Sequence, residues 1–346
     1  MILRMSLKER ILFLLNRLPV PVLDAFVNVL YGRALTVCSS AGVFDLLQTS
    51  PQSSEEVAKK TGVSLRGTEL LLQTMEAGGY VLRAGELYRN SRISERWLTK
   101  NSPHYIGALV RYFDTLFSRW QYLGDSVRAG KPPRAYFEYF TDEDWRIYTY
   151  GMMNLARILM PQVLGAISFP SSAHRLLDIG GSHGLYSIEL CKRYPALEAE
   201  VIDLEKAVGI GKKIAEEYGM SDRVRHRAAD FKKEELGRGY DVVLAFNIIH
   251  GLTPSENVFL LTKIAAALNG GGVVVIMDQL RHGKGTSSLS QLIPAIVGLN
   301  LFNEIGGNAY TFLEIKEWCA AAGLVDCRLK NLRFPGVAVI RARKNA

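Results

Sequence analysis

Apolar residues recur at helical spacing from Leu7 to Leu15 and from Thr68 to Met75, and few β-branched runs interrupt the first half of the chain. This pattern predicts an all-α region up to about residue 165. The exception is Tyr80-Val-Leu-Arg83 and Leu87-Tyr-Arg89 around Ala84-Gly85-Glu86, two short extended pieces suited to a hairpin or wing. Helix, helix and wing predict a winged-helix module between Ser53 and Asn90. From Arg175 the rhythm changes. Short apolar strands are expected at Arg175 to Ile179, Glu200 to Asp203, Val224 to Ala228, Asp241 to Phe246 and Val273 to Asp278. They alternate with helical stretches such as Leu185 to Tyr194 and Val258 to Leu268, so a parallel sheet covered by helices on both faces is expected. Asn269-Gly-Gly-Gly272 reads as a helix stop. Late segments, Val325 to Asn331 and Val337 to Arg343, predict two last strands as an edge hairpin. The expected domains are 1–165, mainly helical, and 166–346, α/β.

Composition narrows this picture. With 346 residues and 48% hydrophobic content the chain can bury a large core in two domains. The formal charge of +8 comes from basic residues scattered among acidic ones, a pattern that fits a solvated surface better than an anionic partner. Cys38, Cys191, Cys319 and Cys327 show no CxxC spacing and no His/Cys cluster, so no metal site is expected and reduced thiols in the cytoplasm are. The start, Met1-Ile-Leu-Arg4 followed by Lys8, Glu9 and Arg10, lacks the apolar core of a secretory signal. Leu18 to Leu30 is apolar but contains Pro19, Pro21 and Asp24, and it falls short of the roughly 20 residues that span a bilayer. A helix against a partner subunit is expected there in preference to membrane association.

In an open parallel sheet, ligands bind beyond the carboxyl ends of the strands. Here three successive strands end on acids. Asp178 closes the first, followed by Gly180, Gly181 and Gly184, which let a ligand approach the backbone. Asp203 closes the second, where a carboxylate can accept both hydroxyls of a ribose. NAD-binding proteins share that much. Asp178, two residues before the first glycine, and Asp230 with Phe231 beside it after the third strand turn the choice toward S-adenosylmethionine. A carboxylate accepting from an adenine amino group, with a ring against its face, suits an adenosyl ligand without a pyrophosphate. Otherwise Asp178 is a turn residue and Asp230 a helix cap.

The motifs Asp178-Ile-Gly-Gly-Ser-His-Gly184, Val201-Ile-Asp-Leu204, Ala229-Asp-Phe231, Asn247-Ile-Ile-His250 and Asn269-Gly-Gly-Gly272, in this order and spacing, resemble the small-molecule O-methyltransferases of the caffeic acid and hydroxyindole type and their bacterial natural-product relatives. The resemblance extends through Arg33 to Leu47 and Glu55 to Gly62, so only the first 30 or so residues lie outside it. It implies a Rossmann-like seven-stranded methyltransferase sheet with an N-terminal, mainly α, winged-helix dimerisation domain, a homodimer, and a role in secondary metabolism. It also implies that Gly180 and its neighbours hold the methionine part of S-adenosylmethionine, Asp203 the ribose, and Asp230 with Phe231 the adenine. Leu204 and Asn247 belong to the same cofactor motifs. His250 stands where the family places its general base, and an imidazole can take a phenol proton near neutral pH. The family follows that histidine with Asp-Trp, whereas Gly251 and Leu252 follow here. Its Gly-Gly-x-Glu-Arg-Thr is Gly306-Gly-Asn-Ala-Tyr-Thr311, with Ala309 where the acid stands. The imidazole is therefore expected to lack a carboxylate partner.

The acceptor pocket is expected between the domains, lined by Tyr112, Phe113, Phe117 and Trp120, by Met152 and Met153, and by Asn300 and Asn303. Such a lining would suit a flat, largely apolar phenol or polyketide ring, although aromatic and methionine residues at this spacing form core more often than pocket. Two alternatives stand beside O-methylation. One is C- or N-methylation, or a rearrangement or decarboxylation in which the sulfonium acts only as a local charge. The other is a winged-helix DNA-binding regulator. Its recognition helix, Arg66 to Ala77, offers only Arg66 and Gln73 among leucines and two glutamates, which fits protein packing better than a major groove and argues against a nucleic-acid partner.

Overall fold

The computed structural model describes residues 6–133, 140–281 and 289–346. The chain divides into two compact units, Met1–Ser118 and Arg119–Ala346.

In the first unit α1 (Leu7–Leu14) starts from Ser6, whose hydroxyl and the Glu9 carboxylate cap each other's backbone N–H groups. A continuous helical run follows, made of α2 (Val20–Val22), a π-helical stretch (Leu23–Asn28) and α3 (Val29–Ser40). By length and apolar content alone, Val20–Ser40 would cross a bilayer. Its second half is committed to this unit instead, with Thr36, Cys38 and Ser39 buried and Arg33 paired with Asp114. Then come α4 (Val43–Thr49), β1 (Gln52–Ser53), α5 (Ser54–Thr61), α6 (Leu65–Ala77), β2 (Val81–Ala84), β3 (Leu87–Asn90), α7 (Arg92–Trp97) and α8 (Gly107–Trp120). The three short strands form one antiparallel sheet in the order β1-β3-β2, so the expected hairpin is present with a third strand added. Phe44, Leu72, Met75 and Val81 make the core here, and α6 spends Thr68, Leu72 and Met75 on it.

The second unit continues with α9 (Leu123–Ala129), α10 (Asp142–Leu164), β4 (Arg175–Ile179), α11 (Leu185–Arg193), β5 (Glu198–Asp203), α12 (Glu205–Glu217), β6 (Val224–Ala228), β7 (Tyr240–Phe246), α13 (Pro254–Ala267), β8 (Leu268–Gln279), α14 (Leu289–Ile305), α15 (Phe312–Ala321), β9 (Leu324–Asn331) and β10 (Val337–Lys344). Its seven strands run β6-β5-β4-β7-β8-β10-β9, all parallel except β10, which is antiparallel to both neighbours. Successive residues feed opposite faces: Val242 and Leu244 join the core under α10 and α11, Val243 and Ala245 the core under α13 and α15. All four are sealed from solvent, which is why these strands read as continuous apolar runs. The division falls after Ser118, not near residue 165 where the rhythm changes, because α10 packs against α11 and α12 of the sheet domain. One local expectation is refined: α13 does end at Ala267, but Asn269–Gly272 is extended chain that opens β8.

Candidate active site

Strand order reverses between β4 and β7, and a crevice opens at such a point beyond the strand ends. The backbone after β4 is shaped to approach a ligand closely. Gly180, Ser182 and Gly184 all have positive φ (63°, 43° and 65°). A side chain on Gly180 would run into Ile248, and one on Gly181 would place its Cβ 2.5 Å from Cγ of Asp178. Asp203, at the end of β5, straps this loop: its Oδ2 accepts from the Ser182 N–H at 2.9 Å and its Oδ1 from the Leu204 N–H at 2.7 Å. Burial raises the Asp203 carboxyl to about 6 against these two donors.

Asp178 is 2% exposed. Its Oδ2 accepts from the Ser187 hydroxyl at 2.7 Å, and its Oδ1, equally sealed, has no hydrogen-bond partner among the described residues. Burial drives its pKa up to about 7, only partly opposed by Ser187. A buried acceptor without a donor is costly, and a ligand ammonium group would satisfy it. Two histidines pack at the loop, His183 within it and His226 against it. His183 accepts from the Leu185 N–H at Nδ1 (3.0 Å), and the His226 ring fills the space that Cβ atoms on Gly184 and Gly211 would need. Burial pushes them down to about 3 and about 4, which keeps both neutral.

The other proposed cofactor residues are placed less uniformly. Asp230 follows β6 and is engaged locally: its Oδ1 accepts from the Lys232 N–H at 3.0 Å and its Oδ2 pairs with Lys233 at 3.0 Å. Phe231 beside it packs on the core under α13. Leu204 is 40% exposed at the mouth of β5. Asn247, with φ 56°, turns the chain out of β7 and accepts from the Gln279 side chain at 3.3 Å.

His250 lies in a 3₁₀ turn, Ile249–Gly251, that four residues clamp. Its Nδ1 is 2.6 Å from Oδ1 of Asp278, the last core residue of β8, and its backbone N–H reaches Asp278 Oδ2 at 3.3 Å. Asn257, fully buried on α13, donates to the carbonyls of Ile249 and Leu252, the Tyr310 hydroxyl donates to Leu252 O, and the Asn308 N–H to His250 O. The expected lack of a carboxylate is thus corrected: the acid comes from β8, 28 positions along the chain, and not from the positions after His250 or from Ala309. Ala309 is buried, its backbone N 3.2 Å and its Cβ 3.3 Å from where a side chain on Gly298 would begin, so no long side chain fits there.

On the expected acceptor wall, the Trp120 indole donates to Asn300 Oδ1 and the Ser126 hydroxyl to Asn303 Oδ1, both at 2.6 Å. Asn300 in turn donates to Glu304 at 2.9 Å, and Asn303 to the carbonyl of Arg119 at 3.4 Å. These asparagines therefore tie α14 to the end of α8 and to α9. Met152 is half-buried on α10, whereas Met153 belongs to the core. Phe113, in the first unit, is 43% exposed beside Tyr112. Sequence reasoning missed Asp278, Asn257, Tyr310 and Glu304. The one available signal was that the β8 run ends on an acid, as the runs of β4 and β5 do.

A doubly wound sheet with an acid-and-glycine crevice and a histidine past its fourth strand fits a cofactor-dependent methyltransferase. Residues 120–324 match the O-methyltransferase domain and residues 24–100 the O-methyltransferase dimerisation domain. The chain belongs to this family, whose methyl donor is S-adenosylmethionine. It is similar to 3-hydroxy-5-methyl-1-naphthoate 3-O-methyltransferase of Streptomyces sahachiroi, 26% identical over 92% of this chain and 93% of the relative. It is also similar to L-tyrosine C(3)-methyltransferase of Streptomyces lavendulae, 30% identical over 91% and 90%. Among solved structures, human N-acetylserotonin methyltransferase in complex with S-adenosylmethionine superposes with a TM-score of 0.83, covering 94% of this chain and 98% of that one at 23% identity.

Proposed function

We propose that the protein methylates a hydroxyl of a small aromatic or polyketide-like metabolite, with His250 as the general base. The observation that carries this is the 2.6 Å contact between His250 Nδ1 and Asp278. Held there, the imidazole keeps its proton on Nδ1, toward the carboxylate, and leaves Nε2 to accept the proton of the acceptor hydroxyl. Asp278 then stabilises the imidazolium that forms. The freed oxygen is the nucleophile, and the proton on Nε2 passes to water after transfer. Bound S-adenosylmethionine supplies an electrophilic sulfonium methyl. Asp178 would take its ammonium group, Asp203 its ribose, and Asp230, Phe231, Leu204 and Asn247 its adenosine end. The unmet Asp178 oxygen and the side-chain-free approach at Gly180 and Gly181 fit such a ligand.

Phe113, Trp120, Met152, Asn300 and Asn303 are proposed to border the acceptor, with Asn300 and Asn303 acting by holding α14. Transfer of a labelled methyl group from S-adenosylmethionine to a panel of naphthols and hydroxynaphthoates tests the assignment. Binding of S-adenosylhomocysteine without transfer to any hydroxyl, or no binding at all, would overturn it. The 30%-identical relative named for C-methylation of tyrosine favours a second outcome, since removing a phenol proton also activates the ring carbon beside it. Product analysis by NMR separates the O-methyl ether from the C-methyl phenol. The non-methylating alternative loses its motive with Asp278 in place.

The region 24–100 is proposed as a homodimer module in the winged-helix style, not a DNA reader. The exposed apolar side chains of Phe26, Val29 and Leu30 support this, and sedimentation showing a monomer at micromolar concentration would count against it. Four free cysteines support a reducing, cytoplasmic location.

A further inference from the structure

At the far end of the sheet from the glycine loop, three guanidinium groups converge. Arg341 and Arg343 lie on β10 opposite Val275 and Val273 of β8, and Val273 is five residues, about 16 Å, along β8 from Asp278. Arg328 on β9 stands directly across from Arg341. Edge strands often carry basic residues to block pairing with other chains, which would account for Arg328. It does not account for Arg341 and Arg343, whose strand is paired on both sides.

Like charges directly opposite on a ladder destabilise it, and Arg341 Nε is sealed from solvent with no hydrogen-bond partner among the described residues, a second cost. Asp326 is the one acid lining the recess among the described residues. Its carboxylate meets Arg343 Nε at 2.5 Å, from a left-handed backbone (φ 54°) where the register of β9 against β10 shifts by one residue. Arg343 first, then Arg328 and Arg341, hold that carboxyl below its ordinary range, so all three act on one spot. Three guanidiniums against one carboxylate leave two positive charges around a recess of about 110 Å³ lined by Asp326, Arg328, Arg341, Ala342 and Arg343. Four of its five lining residues are charged and Ala342 is the fifth, so it suits a small tetrahedral oxyanion better than a nucleotide, whose base would find no apolar wall.

We propose that the recess formed by Arg328, Arg341 and Arg343 is an anion site for a phosphate or phosphomonoester group, separate from the methyl-transfer centre. The planar forks of Arg328 and Arg341 match two edges of such a group, and the ligand charge relieves their mutual repulsion. The test is calorimetric titration of the full chain with inorganic phosphate and with glycerol 3-phosphate, at constant ionic strength set with potassium chloride. One saturable site per chain is expected. Arg328→Gln and Arg341→Lys should each weaken it about tenfold or more, the first by losing a charge and the second by losing the fork. S-adenosylhomocysteine affinity should stay unchanged in both, which keeps this proposal independent of the methyltransferase assignment. The tighter of the two ligands tells whether free or esterified phosphate is the natural occupant. The proposal is overturned if neither ligand binds saturably, or if Arg328→Gln, at an exposed edge position, binds them as the unaltered chain does.

Discussion

Asp278 offers two graded perturbations of the proposed base. In Asp278→Asn the amide oxygen can take the place of Oδ1, which now receives His250 Nδ1 at 2.6 Å and the Gln279 N–H at 2.8 Å. Both bonds survive, but the amide nitrogen then faces the His250 N–H from which Oδ2 accepts at 3.3 Å, and the negative charge that steadies the imidazolium is lost. A hydrogen bond to a charged group contributes about 1.5–3 kcal/mol against about 0.5–1.5 for a neutral one, so roughly 1–2 kcal/mol of imidazolium stabilisation disappears. That corresponds to about a 5- to 30-fold fall in kcat. Asp278→Ala removes the acceptor altogether, frees the ring to adopt the wrong tautomer, and should cost the whole 1.5–3 kcal/mol, about 10- to 150-fold. Asp278 is 2% exposed, so solvent screening does not dilute these figures. The assay is initial-rate transfer of labelled methyl to an accepted naphthol, with S-adenosylhomocysteine affinity measured alongside. The order expected is unaltered chain, Asn, Ala, with ligand affinity constant across the three. If Asp278→Ala binds S-adenosylhomocysteine normally and turns over within twofold of the unaltered chain, His250 is not a base oriented by this carboxylate.

Gly181→Ala places a methyl group 2.5 Å from Asp178 Cγ and should weaken S-adenosylhomocysteine binding by about 10- to 100-fold through an overpacking cost of about 1–3 kcal/mol, read by calorimetry. Asp178 has a pKa of about 7 in the folded chain against an ordinary 3.8, so the folded state holds a proton that the unfolded state has released between these values. Stability of the ligand-free protein should therefore fall as pH rises across that window, by about 4 kcal/mol, and Asp178→Asn should abolish this component of the denaturation curve. His226, about 4 when folded against 6.5, works in the opposite sense. The unfolded chain binds the proton first, stability is lost as pH falls through that range by about 3 kcal/mol, and His226→Phe should remove that component. The two effects partly cancel in the unaltered protein, where Asp203 adds to the first and His183 to the second, so Asp178→Asn should make the slope of stability against pH more positive and His226→Phe more negative.

Much of the fold was legible because its strands carry their own signal. A strand such as Val242 to Ala245, buried on both faces, is apolar at every position, and acids stand at or one residue before the ends of β5 and β4 where the crevice forms. The cofactor loop was legible for the same local reason: Asp178 and the three glycines lie within seven residues. What escaped was non-local. Asp278 meets His250 because β7 and β8 are adjacent and in register, Phe246 beside Met277, and no spacing rule links a turn after one strand to the end of the next. The helical period likewise placed Asn300 and Asn303 on one face of α14 but not their partners Trp120 and Ser126, which are about 180 residues earlier. The domain boundary was obscured because α10 reads as one more helix although it packs with the sheet.

The turn that carries His250 takes its supports from β8, α13 and the stretch leading into α15, with Asp278, Asn257, Asn308 and Tyr310 as the four fasteners. None of these four fasteners belongs to α14, yet α14 packs on the same turn, where a side chain on Gly251 would begin 3.0 Å from Ile305. The hydrogen bonds that orient the imidazole are thus inherited from the sheet side, while its packing is shared with α14. A lineage that alters the inward residues of α14 therefore has to preserve one steric contact if it is to keep its chemistry.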